Sequence, residues 1–363
     1  MSHSRTNLCS PYMEYAKLSS SAKYNLATSG IQPVPFSEFG AGLENVELTG
    51  GEAYGTPALQ QRLAKHCGVP AECIVPAMGT SMANHLAMAA CFEAGDDVLI
   101  EEPTYEPMMS TTRFLGANII RFRRDPYDGF RVDVDDLRRK LTPRTRLILL
   151  CNLHNPSSAF LDEATLAKIG ELASEAKARV LVDEVYLEAV DPRPRTAFHL
   201  GNRFVITNSL TKGYGLSGLR CGWIIAEPEL ARRIWRINDL FASKNPYPAE
   251  TLSMFALDQI ERFRARAQRI LAVNRPVMDT FLRERCDLEC DIPEVGTTTA
   301  PRLKKGNVEE FCELLQKKYE TSVVPGRFFE MPDHFRIGIC GDPDMTREAF
   351  RRLAAALDEY HRA

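Results

Sequence analysis

Asn208-Ser209-Leu210-Thr211-Lys212-Gly213-Tyr214-Gly215-Leu216-Ser217-Gly218-Leu219-Arg220 is the stretch of the chain with the most to say about chemistry. Hydroxyls, one lysine, glycines and an arginine follow directly on an apolar run that reads as a strand. Such a loop offers backbone N–H groups, hydroxyl donors and a cation to a phosphate. The Gly-x-x-x-x-Gly-Lys order of a nucleotide loop is missing. A lysine held there can form an imine with an aldehyde. The same residues would also suit a solvated loop with an ordinary surface lysine, and Ser-x-x-Lys spacing occurs in serine hydrolases that use lysine.

Other groups could converge on that loop. Asp183 ends an apolar run, with Tyr186 three residues on. Taken alone they read as a strand-end carboxylate and a packed aromatic. Pro76-Ala77-Met78-Gly79-Thr80-Ser81 precedes an apolar helix, where the Thr80 or Ser81 hydroxyl can cap the helix while backbone N–H groups hold an anion. Arg336 lies in a period-two strand with apolar neighbours. A guanidinium there can grip a carboxylate with two prongs, or face water from an edge strand. Neither Cys-x-x-Cys nor His-Glu-x-x-His occurs, so no metal site is expected.

The elements needed to position these residues are those of an α/β protein. Residues 98–101, 147–151, 180–183 and 204–207 read as strands, and 221–226 as another, antiparallel one. Helices are expected over 81–92, 163–176 and 229–240. After the prolines of Asn245-Pro246-Tyr247-Pro248 the pattern changes to amphipathic helices at 249–274 and 276–286. Helices at 308–319 and 346–360 and a strand at 335–340 complete a smaller unit. The division expected is an N-terminal arm over 1–45, a large domain over 46–245 and a small domain over 246–363.

With 44% hydrophobic and 26% charged residues, the chain of 363 residues has the composition of a soluble globular protein. A net charge of -3 provides no field for nucleic acid or anionic lipid, and the arginines of 262–269 are expected to face solvent from a helix. No apolar run is long enough to cross a bilayer, and residues 1–7 lead into no secretory signal. The 10 cysteines, Cys9, Cys67, Cys73, Cys91, Cys151 and Cys221 among them, read as free, buried thiols in a reducing, cytoplasmic setting.

The lysine segment resembles the cofactor-lysine signature of the class I/II aminotransferases, which are fold-type-I pyridoxal-phosphate enzymes. The other motifs follow in that family's order from about residue 25 to residue 336. The resemblance implies a three-layer large domain around a mostly parallel seven-stranded sheet, with a smaller α/β domain formed by both chain ends. It implies pyridoxal 5'-phosphate held by Lys212 as a Schiff base, with Ser209, Arg220, Gly79, Thr80 and Ser81 about the phosphate. Asp183 would face the pyridine nitrogen, Tyr186 and Asn155 the phenolate oxygen, and Tyr105 the ring face. Tyr54 would reach the phosphate of a neighbouring subunit, making a homodimer. Arg336 would take the substrate α-carboxylate, with Gly30 a backbone contact in a mobile segment at 25–30.

The activity implied is transfer of an amino group between an L-amino acid and a 2-oxo acid. Elimination, replacement, racemisation or cyclisation on the same cofactor, or ligand binding without catalysis, are the alternatives. The sequence departs from the family at Asn152-Leu153-His154-Asn155-Pro156-Ser157-Ser158, where Leu153 replaces the usual first proline. His154 reads as a loop residue. The stretch 239–246 has no arginine of the kind aspartate-specific relatives use, although Lys244 is a possible substitute. Phe36, Phe39, Phe241 and Tyr247 suggest a partly apolar substrate pocket.

Overall fold

The computed structural model describes residues 8–50 and 54–362. Residues 1–7, on which the reading of the N-terminus rests, and Glu52 and Ala53 beside Tyr54 lie outside them.

The sheet grows from strands that are apolar on both faces. In Arg179–Asp183, Val180 and Val182 enter the core on one side of the sheet and Leu181 the core on the other. A continuous rather than alternating apolar run is what a parallel strand covered by helices on both faces requires. The order across the sheet is Ile74–Met78, Cys221–Ile225, Phe204–Ser209, Arg179–Asp183, Thr145–Cys151, Asp97–Glu102 and Asn118–Asp125. Of these seven, Cys221–Ile225 alone runs opposite to the other six. A two-residue strand, Arg131–Val132, adds an antiparallel eighth at the edge. The expected three-layer arrangement is therefore present.

Helices close both faces. Glu163–Glu175 starts at Asp162, whose carboxylate accepts from the Thr165 N–H, and it buries Leu166, Ile169, Leu172 and Ala173. Each of the leucines and the isoleucine contributes about 1.5–3 kcal/mol when fully buried. Gly170 lets this helix approach the Phe204 ring, into which a Cβ would run.

The smaller unit takes material from both ends. Leu26 and Ile31 share a core with Phe311, Phe335, Ile337 and Phe350, and Tyr24–Asn25 pairs in parallel with Thr321–Ser322. Its helices include Val308–Tyr319 and Pro343–Tyr360.

Three expectations need correction. The helix break falls at Gln259, between Tyr247–Asp258 and Ile260–Glu284, and the second helix runs through Pro276. Proline in a helix interior costs about 3 kcal/mol. Here Ala267, Ile270, Leu271, Asn274, Met278 and Phe281 form one buried face across it, and that burial outweighs the cost. The arginines of 262–269 do not simply face water. Arg266 donates to the carbonyls of Gln32 and Pro33, Arg264 to those of Val190 and Asp191's carboxylate, and Arg262 to the Phe39 carbonyl. Among the cysteines, all of them free, Cys9 is exposed and Cys91 only half-buried.

The carboxyl ends of three parallel strands are tied by a fully buried ion pair. Arg124 Nη1 lies 2.7 Å from Glu101 Oε2, while Glu101 Oε1 accepts from the Cys151 N–H at 2.8 Å. Arg124 Nε donates to the Phe130 carbonyl. Burial pushes the Glu101 carboxyl above its ordinary range, although Arg124 opposes this. Glu101→Ala strands the buried guanidinium and should cost about 3–5 kcal/mol of stability, measured by urea unfolding. Replacing both partners with Leu and Met should recover most of that loss.

Candidate active site

The site lies where the parallel strands end. The strand register sets Cys151 opposite Asp183 and Asp183 opposite Thr207, so the loops after three neighbouring strands open on one crevice. The helix Gly79–Cys91 begins at the same edge, directly after Ile74–Met78. Between these loops and the N-terminal helix Pro11–Leu18 is a cavity of about 290 Å³. Thr80, Ser81, Tyr105, Asn155, Asp183, Tyr186, Ser209, Lys212 and Arg220 all line it.

One chain of hydrogen bonds crosses this cavity. Lys212 Nζ donates to Ser29 Oγ at 3.1 Å, and the Tyr186 hydroxyl donates to the same oxygen at 2.9 Å. Asn155 Nδ2 donates to the Tyr186 oxygen at 3.5 Å, and Arg336 Nη1 donates to Asn155 Oδ1 at 3.0 Å. Burial lowers the Lys212 pKa from its ordinary value, which favours the neutral amine. Burial likewise raises the Tyr186 phenol.

Asp183 is buried and held from two sides. Asn84 Nδ2 donates to Oδ2 at 2.9 Å, and the Val185 N–H to Oδ1 at 3.0 Å. Asn84 is fixed in turn by Thr207, whose hydroxyl donates to Oδ1. Burial outweighs these donors and pushes the Asp183 carboxyl up to about 6.

At the other end lies an anion cradle. Thr80 Oγ1 donates to Ser209 Oγ at 2.8 Å, and exposed Arg220 reaches the Met78 carbonyl at 3.3 Å. The Gly79 N–H is taken by the Arg220 carbonyl, so the free donors of this helix start one residue later. Gly79 acts sterically. Its φ is +73°, and a Cβ there would collide with the Arg220 guanidinium.

Arg336 is fully buried in Phe335–Gly338, the central strand of a three-stranded sheet, and not on an edge facing water. It does not line the cavity but touches it through Asn155 and Tyr12. None of its partners is a carboxylate: they are Asn155, Tyr12 and the Ala27 carbonyl, with Nε left unpaired. A buried cation in this state favours an incoming anion. Gly30 packs on the Lys212 stem, where a Cβ would lie 3.0 Å from Cδ. Its neighbours are pinned, with the Ile31 N–H bonded to the Lys212 carbonyl and the Ser29 carbonyl to Thr297.

Some expected residues stay apart. Tyr54 is outside the cavity, packed on Trp235 and donating to Asp239 at 3.2 Å. Phe39 is core, against Phe255 and Phe263, while Phe36 is exposed. Phe241 lies against His85, and Tyr247 over Gly50. None of these four lines the cavity within this chain. His154 is buried between Ser157 and the Pro103 carbonyl, a loop brace as expected. Ser29, Asn84 and Tyr12 escaped sequence reading. Asn84, a polar residue inside a mostly apolar helix, was the one with a visible signal.

The residues present fit pyridoxal 5'-phosphate. An amine, a buried carboxylate and an anion cradle whose arginine a Cβ at Gly79 would push aside are spaced around one cavity. Residues 41–353 match the model of the family Aminotransferase class I and II. The chain is 28% identical to capreomycidine synthase of Streptomyces vinaceus, over 93% of this chain and 90% of that protein. It is 26% identical to the arginine–pyruvate transaminase AruH of Pseudomonas aeruginosa, over 84% and 81% respectively. A PLP-dependent aminotransferase from Streptococcus suis superposes with a TM-score of 0.90 at 25% identity, covering 96% of this chain and 97% of that one. Fold and comparisons together define a fold-type-I, pyridoxal-phosphate-binding architecture. The chain belongs to the class I and II aminotransferase family.

The Asp183 carboxyl carries a pH signature. With its pKa raised from 3.8 to about 6, the folded cofactor-free chain keeps a proton that the unfolded chain has released. Between about pH 4 and 6 the folded state therefore binds more protons, and its stability falls as pH rises. Two pK units correspond to up to about 3 kcal/mol. Asp183→Asn should remove this decline, measured as the difference between wild-type and variant urea midpoints at pH 4 and pH 7. Glu184, raised to about 8 by burial, acts with the same sign in both proteins and cancels in that difference.

Proposed function

We propose that the protein is a pyridoxal-phosphate enzyme that transfers an amino group between an L-amino acid and a 2-oxo acid, with Lys212 as the lysine that holds the cofactor. The observation that carries this reading is the Lys212 amine set between buried Asp183 and the Thr80–Ser209–Arg220 cradle, with Arg336 buried nearby and lacking a carboxylate partner.

When bound, pyridoxal 5'-phosphate supplies an aldehyde that condenses with amines and a ring that accepts electrons from a bond broken beside them. The chain's residues do the rest. Asp183 holds a proton on the ring nitrogen, an ion pair that offsets the cost of its burial. Ser209, Thr80 and Arg220 would hold the phosphate, Tyr105 would lie beside the ring, and Tyr186 and Asn155 would donate to the phenolate oxygen. Arg336 holds the substrate carboxylate and so orients the Cα–H bond. Lys212, whose pKa burial lowers in favour of the neutral amine, takes that proton and returns it. Tyr54, on the outer surface of the chain, would serve the cradle of a second subunit in a homodimer.

A second reading, ring closure of an amino acid on the same residues, is supported by the likeness to capreomycidine synthase along 93% of the chain. The holoenzyme should be incubated with an amino-acid panel. Amino transfer yields a 2-oxo acid and aminated cofactor in the first turnover. Ring closure yields a cyclic amino acid with no 2-oxo acid, and that result would replace the main reading. Lys212→Ala should abolish the visible absorbance of the bound cofactor and lower turnover by about 10²–10⁴-fold. Wild-type absorbance persisting in that variant would sink both readings.

A further inference from the structure

The helix Pro11–Leu18 roofs the cavity and places Tyr12 beside Arg336. Its seat is fixed at both ends. Ser10 caps the helix and donates to Glu106, and the Tyr15 hydroxyl donates to the Val323 carbonyl at 2.8 Å. The buried Tyr12 ring meets Tyr105 edge-on at 5.3 Å and Phe328 at 5.9 Å. Its hydroxyl oxygen lies 3.2 Å from Arg336 Nη2.

That contact matters because of how an arginine fork works. A two-pronged grip on a carboxylate uses Nη2 with either Nη1 or Nε, so a hydrogen on Nη2 is needed both ways. Nη2 carries two hydrogens and already donates to two acceptors, the Ala27 carbonyl at 2.8 Å and Tyr12. The Ala27 carbonyl belongs to backbone threaded along the small sheet, where the Gly338 N–H bonds the Leu26 carbonyl at 2.7 Å. A Cβ on Gly338 would collide with the next carbonyl, that of Thr28. Tyr12 is the longer contact and the one made by a side chain alone.

We propose that the Tyr12 hydroxyl is a built-in placeholder for the substrate α-carboxylate, which must displace it from Arg336 Nη2 to be gripped by both prongs. This rests on the reading of Arg336 as the carboxylate site. In the free protein Tyr12 satisfies a guanidinium donor that would otherwise be buried unpaired. Burial raises the phenol's pKa, but Arg336 and Lys212 outweigh it and leave the pKa below its ordinary value, because the two cations favour negative charge on the oxygen. A neutral amide offers one carbonyl oxygen and cannot take the two-pronged grip, so its binding does not depend on displacing Tyr12.

The test is calorimetric titration of the holoenzyme with propionate and, as a neutral control, propionamide. Tyr12→Phe keeps the ring packing and removes only the hydroxyl, leaving Nη2 short of an acceptor in the free protein. Propionate should then bind about threefold to tenfold more tightly than to wild type, with propionamide unchanged. Arg336→Gln should abolish propionate binding. Equal or weaker propionate binding in Tyr12→Phe, with Arg336→Gln still inactive in binding, overturns the placeholder and leaves the carboxylate reading standing. Propionate binding that survives Arg336→Gln overturns the carboxylate reading and the placeholder with it.

Discussion

Desolvation at one edge of the large sheet governs the rest of the structure. A carboxylate and a guanidinium, contributed by Asp183 and Arg336, are withdrawn from water within one crevice and its wall, with the half-buried Lys212 amine beside them. Burying an ionisable group without a partner penalises its charged form, so each must be held by donors or acceptors on rigid elements. Asp183 has Asn84 and the Val185 N–H, Lys212 has Ser29, and Arg336 has Asn155, Tyr12 and a backbone carbonyl. These partners leave the groups perturbed rather than neutralised. Asp183 sits near 6 and Lys212 below its usual value, both ready to respond to a charged ligand.

The scaffold meets that demand through its parallel strands. Adjacent strands running the same way present their carboxyl ends together, and each can deliver one functional loop to the same place. The Arg124–Glu101 pair clamps three of those ends from below. On the opposite side, the segment from Asn25 to Ile31 threads between the two units, bonded to Ser322, Gly338 and Lys212. Arg266 of the long helix Ile260–Glu284 continues this work by gripping the carbonyls of Gln32 and Pro33. Residues 25–31 thus lie against Lys212, and the helix Pro11–Leu18 forms part of the cavity wall.

Much of this was legible in the linear order. The strands ending at Cys151, Asp183 and Ser209 are apolar runs too short for helices, and the polar residues just beyond them are the ones that line the cavity. The strands Ile74–Met78 and Asn118–Asp125 were missed. The first carries a proline, and the second carries three arginines and an aspartate, which blur the apolar signal. The helix break near Gln259 was misplaced because proline is a strong local signal, whereas a continuous buried face spanning Pro276 becomes apparent only after packing.

By itself the sequence determined which chemistry is available. Lysine, aspartate, asparagine, tyrosine and arginine stand at spacings that local strand and turn physics place at loop mouths. Tertiary structure decided which partners those groups meet. Ser29 is 183 residues from Lys212, Tyr12 is 324 from Arg336, and Asn84 is 99 from Asp183. Hydrogen bonds over such separations leave no periodic trace in a single chain, because their cost and benefit arise only when the intervening residues have folded and water has been expelled.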